Sequence, residues 1–326
     1  MSAIANRPRV LVTANFFGES DPRTLQILKD TGAEIILKND RGITEDEVAE
    51  FIKGVDALVA GVEPITPRVM DAAPGLKLIA RVGVGYDSVD VAAARARGIH
   101  VTHSPEGPWP GVAELTVGLM IDLLRWVGQV DREVRRGNWR RMIGRRLAMS
   151  TIGIVGVGRI GKAVIRHAVN GFPGVRVLAN DLAADLEFGK LFDVEWVDKE
   201  QLYREADVIS LHVPKTRLTR NLIDEGALAL MKPTSSLINT ARGGIVDETA
   251  LAEALRTGRL AGAAIDVFDQ EPYDGPLLAL ENCILTPHIA GNTTDCRIRM
   301  EADAANEVRR LLAGAPPAYP VPEEED

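Results

Sequence analysis

Residues 151–161 read TIGIVGVGRIG. Residues 151–155 are a run of β-formers and predict a buried strand. Gly156-Val157-Gly158-Arg159-Ile160-Gly161 then spells G-x-G-x-x-G, and the helical pattern of 162–169 follows it. In that strand–turn–helix setting Gly156 permits the tight turn and Gly158 lets a pyrophosphate approach the backbone. Gly161 lets the helix lie close to the strand, and the helix N-terminus faces the anion. A second strand is predicted at 175–179. Asp181 closes it, twenty residues beyond Gly161, where an acid accepts the hydroxyls of an adenosine ribose and repels a 2′-phosphate. The context outweighs the alternative of a plain Gly-rich turn.

Working outward, strands and helices alternate on both sides of this stretch. Upstream, strands are predicted at 9–13, 34–38, 57–60, 76–81 and 99–102. Helices fall between them, one opened by the capping box Thr44/Glu47. Downstream, strands are predicted at 208–213, 235–239, 261–267 and 284–285, with a long helix from 290 to 313. This alternation implies parallel, doubly wound sheets, and 326 residues suit two such domains. The upstream half has no G-x-G-x-x-G and is not the dinucleotide domain. Between the halves, 111–127 predicts a helix apolar on every side, buried between domains or subunits. The tail, 315–326, holds four prolines and ends in four acids, a composition that predicts disorder.

Composition narrows the function classes. A net charge of −8 argues against nucleic acid or an anionic membrane as a partner. No apolar run reaches about eighteen residues, so no membrane span is expected. Two cysteines, Cys283 and Cys296, argue against a disulfide framework or a cysteine-rich metal site and suit a reducing cytoplasm. Against the acidic background, eight arginines fall within 125–146, to be read as a solvated helix end or as an anion-attracting rim.

Ligands of open α/β sheets bind at the carboxyl ends of the strands. Three residues with the right chemistry follow predicted strands there: Arg242, Glu271 and His288. A guanidinium clamps a carboxylate, and a histidine beside a carboxylate is an acid–base group. Each alone is an ordinary loop residue; the three together at one sheet edge read as a site.

These residues carry a family resemblance. RVGVGYDSVD at 81–90, GVGRIG at 156–161, LHVPKTRLT at 211–219, NTARGGIVD at 239–247, DVFDQEP at 266–272 and TPHIAG at 286–291 resemble the D-isomer-specific 2-hydroxyacid dehydrogenases, close to the phosphoglycerate dehydrogenase-like branch. The resemblance implies an NAD-binding Rossmann domain (104–290) inserted in a flavodoxin-like substrate-binding domain (1–103 and 291–326). It implies a cytoplasmic homodimer built on the helix from Gly111. Arg242, Glu271 and His288 would be catalytic. Gly156, Gly158, Arg159, Ile160, Gly161, Asp181, Val213, Pro214, Thr240, Ala241, Asp266 and Gly291 would bind NAD, with Asp266 on the nicotinamide carboxamide. Arg81 and the backbone N–H groups of Val82, Gly83, Val84 and Gly85 would join Arg242 and His288 on a small 2-hydroxy or 2-oxo acid. The reaction would resemble that of a 3-phosphoglycerate dehydrogenase or a hydroxypyruvate/glyoxylate reductase, with no metal. A non-enzymatic NAD(H)-sensing regulator or corepressor on the same fold is the alternative. Departures from the family pattern touch the substrate loops: His103 stands where asparagine is usual, and Phe16, Phe17 and Trp109 add bulk that points to a larger or less polar substrate.

Overall fold

The computed structural model describes residues 7–39 and 43–322. The chain divides into two compact units, Met1–Pro108 with Asn292–Asp326, and Trp109–Gly291. The boundaries fall at 108/109 and 291/292, a few residues beyond those read from the sequence.

The first unit runs β1 (Arg9–Val12), α1 (Pro22–Lys29), β2 (Glu34–Leu37), α2 (Glu45–Phe51), β3 (Ala57–Ala60), α3 (Pro67–Asp71), β4 (Leu78–Arg81), α4 (Val91–Ala96) and β5 (His100–Thr102). Its five strands are parallel in the order β2-β1-β3-β4-β5. Local chemistry starts the helices. Prolines sit in the first turns of α1 and α3, and Thr44 and Glu47 close the capping box of α2. The second unit runs α5 (Trp109–Arg125), α6 (Val127–Arg135), β6 (Thr151–Val155), α7 (Arg159–Gly171), β7 (Arg176–Asn180), α8 (Leu186–Phe192), β8 (Val194–Trp196), α9 (Lys199–Glu205), β9 (Val208–Leu211), α10 (Glu225–Leu230), β10 (Ser236–Asn239), α11 (Glu248–Arg256), β11 (Gly262–Ile265) and β12 (Cys283–Leu285). Its seven strands are parallel in the order β12-β11-β10-β9-β6-β7-β8. The two orders are those of doubly wound flavodoxin-like and Rossmann sheets, so the fold class expected from the alternation stands. Strands β3, β9, β10 and β11 are buried along their whole length, as sheets covered on both faces require.

Helix α12 (Thr294–Leu312) returns to the first unit and lays Met300, Ala304, Ala305 and Val308 on the sheet face formed by Val10, Val12, Val59 and Ala80. It begins at its Thr293 cap rather than near 290, because Ile289 and Ala290 give their N–H groups to Asp266 instead.

Two expectations change. The apolar helix from Gly111 ends at Arg125 rather than at 127: Trp126 adopts a left-handed backbone (φ 58°), and the Gly128 N–H donates back to Asp122. Nor is it apolar on every side. Leu119, Met120, Leu123 and Leu124 are buried in the core of their own unit with Ile152, Ile154 and Ile165, while Glu114, Gly118 and Arg125 face solvent. The tail is also ordered as far as residue 322. Val321 is buried and donates its N–H to Val101 O at 2.9 Å, and Pro320 pairs with Thr102. Proline-rich composition does not exclude order when a strand edge and a buried acid supply partners. Residues 323–326, the acidic end of that tail, lie outside the described residues.

Candidate active site

The site is assembled from loops that follow parallel strands. After β6 the glycine loop behaves as its spacing demands. Gly156 has φ +92°, and a Cβ there would meet His212 O at 2.5 Å; a Cβ on Gly161 would meet Gly156 O at 2.1 Å. These two glycines are required by the protein's own backbone. Gly158 differs: nothing lies within 4 Å of where its Cβ would be. The space beside it is the approach a pyrophosphate needs, at the start of α7 with Arg159 and Ile160 in the first turn. Asp181 follows β7 and accepts from Val157 N (2.6 Å) and Ala183 N (3.0 Å), which holds its carboxylate beside the glycine loop. On the neighbouring strand end Ser210 Oγ lies 3.0 Å from His212 Nε2, and burial pushes the His212 imidazole down to about 3. Val213 and Pro214 continue that loop.

After β10, Asn239 ties down the next loop by accepting from Ala241 N (3.0 Å) and donating to Arg242 O (2.9 Å). Thr240 Oγ1 meets Thr116 Oγ1 at 3.1 Å. Arg242 is half-buried and turns one N–H onto Ala241 O. The adjoining Gly243 allows the close approach: a Cβ there would sit 1.8 Å from Phe268 O, in the loop after β11.

That loop carries Glu271. Its Oε1 accepts from Phe268 N (3.0 Å) and its Oε2 meets His288 Nδ1 at 2.9 Å. Burial raises the Glu271 pKa, but the bond and charge of His288, the Phe268 amide and the Arg242 guanidinium outweigh it and hold the carboxyl below its ordinary value. A carboxylate accepts, so Nδ1 carries the proton and Nε2 is the nitrogen left for chemistry. His288 has φ 54°, a left-handed backbone that a side chain rarely adopts, and it is over-determined by neighbours. Its N–H donates to Asp266 O (2.8 Å). The Asp266 carboxylate is fully buried and accepts from Thr286 Oγ1 (2.6 Å), Ile289 N (2.8 Å) and Ala290 N (3.0 Å). Asp266, given to the nicotinamide by resemblance, here holds the loop that presents His288. Gly291 ends the unit. Asn239 and Asp266 are thus supports of Arg242 and His288. Their positions at the last residue of β10 and just beyond β11 were the only sequence signal for that role.

In the first unit the loop after β4 departs from expectation in one respect. Val82 N–H donates to Ala60 O (2.9 Å) and Gly83 N–H to Arg81 O (3.1 Å), so neither is available to a ligand. Among the described residues, the N–H groups of Val84 and Gly85 make no hydrogen bond. Arg81 is half-buried and curls back onto Val82 O. Phe17 is buried in the first unit's core and adds no bulk to a ligand site, whereas Phe16 is exposed at φ 58°. Trp109 rests against the second unit's core. Of the arginines at 125–146, Arg135, Arg136 and Arg145 pair with Asp131, with Glu133 and Glu281, and with Asp207, and Arg132 donates to Glu281 O. Three of the eight arginines are thus spent in surface ion pairs and a fourth on a backbone carbonyl. No group of three or more potential metal-binding residues occurs among the described residues.

Comparison with known proteins defines the class. The family model described as "D-isomer specific 2-hydroxyacid dehydrogenase, NAD binding domain" matches residues 117–290. The chain belongs to the D-isomer specific 2-hydroxyacid dehydrogenase family and is an NAD-dependent oxidoreductase of 2-hydroxy acids. It is 40% identical to the glyoxylate reductase of Korarchaeum cryptofilum over 95% of both chains. It is 38% identical to the D-3-phosphoglycerate dehydrogenase of Synechocystis over 90% of this chain, but spans only 52% of that relative. The D-lactate dehydrogenase of Aquifex aeolicus, solved with NAD and lactic acid, superposes with a TM-score of 0.83 at 29% identity, covering 94% of this chain and 96% of that one. The regulator alternative finds no support among these relatives. No helix among the described residues is long and apolar enough to cross a membrane.

Proposed function

We propose that this chain reduces a small 2-oxo acid of the glyoxylate or hydroxypyruvate class to its D-2-hydroxy acid. The observation that carries this is the His288–Glu271 pair, 2.9 Å apart, in the loops that follow β12 and β11 of the NAD sheet. The chain's near full-length match to a glyoxylate reductase favours that class over phosphoglycerate, whose dehydrogenase is matched over half its length.

Arg242 of the second unit clamps a substrate carboxylate, and the Val84 and Gly85 N–H groups of the first unit are donors suited to the same group. His288 directs Nε2 at the substrate oxygen while Glu271 holds Nδ1 and offsets the imidazolium charge. Gly158, the start of α7 and Asp181 hold the dinucleotide. NADH, when bound, supplies the hydride to C2. His288 supplies the proton to the oxygen, giving the hydroxyl, and neutral His288 takes that proton back in the reverse direction. Arg242 and cationic His288 meet the negative charge that develops on oxygen.

The test is NADH oxidation with glyoxylate, hydroxypyruvate and 3-phosphohydroxypyruvate. His288→Ala is expected to lose about 10²–10⁴-fold in kcat with NADH affinity retained. Turnover within about twofold of the parent would remove His288 from the acid role. The reading extends to a cytoplasmic homodimer. Its support is the exposed apolar side chains of 121–149, among them Trp139 (81% exposed) and Ile143 (98% exposed), which a second copy would cover. Sedimentation at the 35.3 kDa of one chain would overturn the dimer.

A further inference from the structure

The first unit's glycine loop presents two uncommitted N–H groups, and both belong to peptide planes held from one place. A trans peptide points its C=O and the following N–H in opposite directions, so fixing one aims the other. Ser104 N–H donates to Gly83 O at 2.8 Å, which fixes the plane that carries the Val84 N–H. His103 Nδ1 lies 2.9 Å from Val84 O, which fixes the plane that carries the Gly85 N–H. A carbonyl only accepts, so His103 is protonated at Nδ1. The Tyr86 ring stands edge-on to the imidazole at 5.7 Å and limits its rotation.

His103 is held in turn by the C-terminal segment. Its own N–H donates to Tyr319 O at 3.1 Å. Residues 318–319 are seated by Glu307, a buried acid of α12. It accepts from Ala318 N at 3.1 Å through both oxygens and from Tyr319 N at 3.2 Å. Arg310 Nε donates to Pro316 O, and Val321 N–H joins Val101 O beside the strand end. Burying a carboxylate is costly unless donors satisfy it, and here amides of this segment do so.

We propose that the C-terminal segment 315–321 is a positioning element of the substrate loop, acting from Glu307 through Tyr319 and His103 on the Val84–Gly85 peptide. His103 and Glu307 are positioning residues; neither touches substrate in this scheme. The proposal rests on the reading that the Val84 and Gly85 amides take the substrate carboxylate.

The experiment uses the full chain and two readouts. Hydrogen exchange of the peptide covering 82–86 reports the loop itself, and the KM for glyoxylate against the Kd for NADH reports its use. His103→Ala is expected to speed exchange at 82–86 and raise KM about tenfold, the scale of one lost hydrogen bond, with NADH Kd unchanged. His103→Asn, which keeps an N–H donor, restores most of both. Glu307→Gln, of the same volume, shifts both readouts the same way, and combining it with His103→Ala adds less than the product of the two. Unaltered exchange at 82–86 in His103→Ala overturns the proposal. So does a Glu307→Gln effect that multiplies independently with that of His103→Ala. Faster exchange with an unchanged KM keeps the coupling and instead removes this loop from the substrate site.

Discussion

Two loops occupy the same topological place in the two units and are built in opposite ways. Each follows a strand at which the order of its sheet reverses, β1 in one and β6 in the other, where open α/β sheets form their crevice. Beyond β1 the crevice is filled by side chains. Thr13 Oγ1 and Gly61 N–H both donate to the buried Glu63, and the loop at 15–18 is strapped to α12. There Glu301, fully buried, accepts from Gly18 N (2.9 Å), Thr24 Oγ1 (2.9 Å) and Arg297 Nε (2.7 Å), while Arg297 reaches Asn15 O. Beyond β6 the crevice is kept open by leaving a side chain out at Gly158, while Gly156 lets the neighbouring backbone come close. One topology thus serves two ends. A satisfied polar network makes a rigid, closed strand end, and glycine makes one that admits a phosphate.

The comparison is broken most strongly on the closed side. Glu301→Ala leaves a half-buried arginine and two further donors without their acceptor, and is expected to destabilise the chain by about 3–5 kcal/mol. Chemical denaturation measures this, and NADH affinity of the folded fraction should not move. A loss below about 1 kcal/mol would mean that the network does not hold the loop. On the open side, Gly158→Ala places a methyl in space that no protein atom occupies. NADH affinity should fall about 100-fold, some 2.7 kcal/mol, with melting shifted by only a few degrees. Gly161→Ala is the control, since its Cβ would strike Gly156 O and cost stability as well as binding. If Gly158→Ala instead unfolds the protein and leaves NADH binding intact in what remains folded, the openness has no role in binding.

The smallest effect concerns pH. His212 beside the glycine loop is pushed down to about 3 by burial, against an ordinary 6.5. Its neutral form is the folded one, so its contribution is fully present above about 6.5 and fades as pH falls toward 3. At pH 5.5 the loss is about 1 kcal/mol. His212→Asn should flatten the stability profile between pH 7 and pH 5. An unchanged slope would assign the acid sensitivity to other groups.

Most of the candidate site was legible because local chemistry demands particular residues at particular spacings. The turn after β6 needs Gly156 and Gly161, and an Arg, a Glu and a His at three strand ends have few structural reasons to coincide. The supports were not legible. Asn239 looks like an ordinary strand-end polar residue, and Asp266 like a cofactor contact, until the loops they hold are seen; the tail looked unfolded because composition does not show that Glu307 is buried beneath it or that Val101, distant in sequence, lies beside it.

The sequence by itself determined the alternation of elements, the dinucleotide loop and the identity of Arg242, Glu271 and His288. Those features are set by periodicity, backbone sterics and functional-group chemistry within short stretches. Tertiary structure alone decided which groups were already spent. Val82 and Gly83 N–H went to Ala60 and Arg81 carbonyls, the Asp266 carboxylate went to the His288 loop, and Phe17 went to the core. A hydrogen-bonding group serves a ligand only when no buried neighbour has claimed it, and that claim is settled by residues that meet in space rather than along the chain.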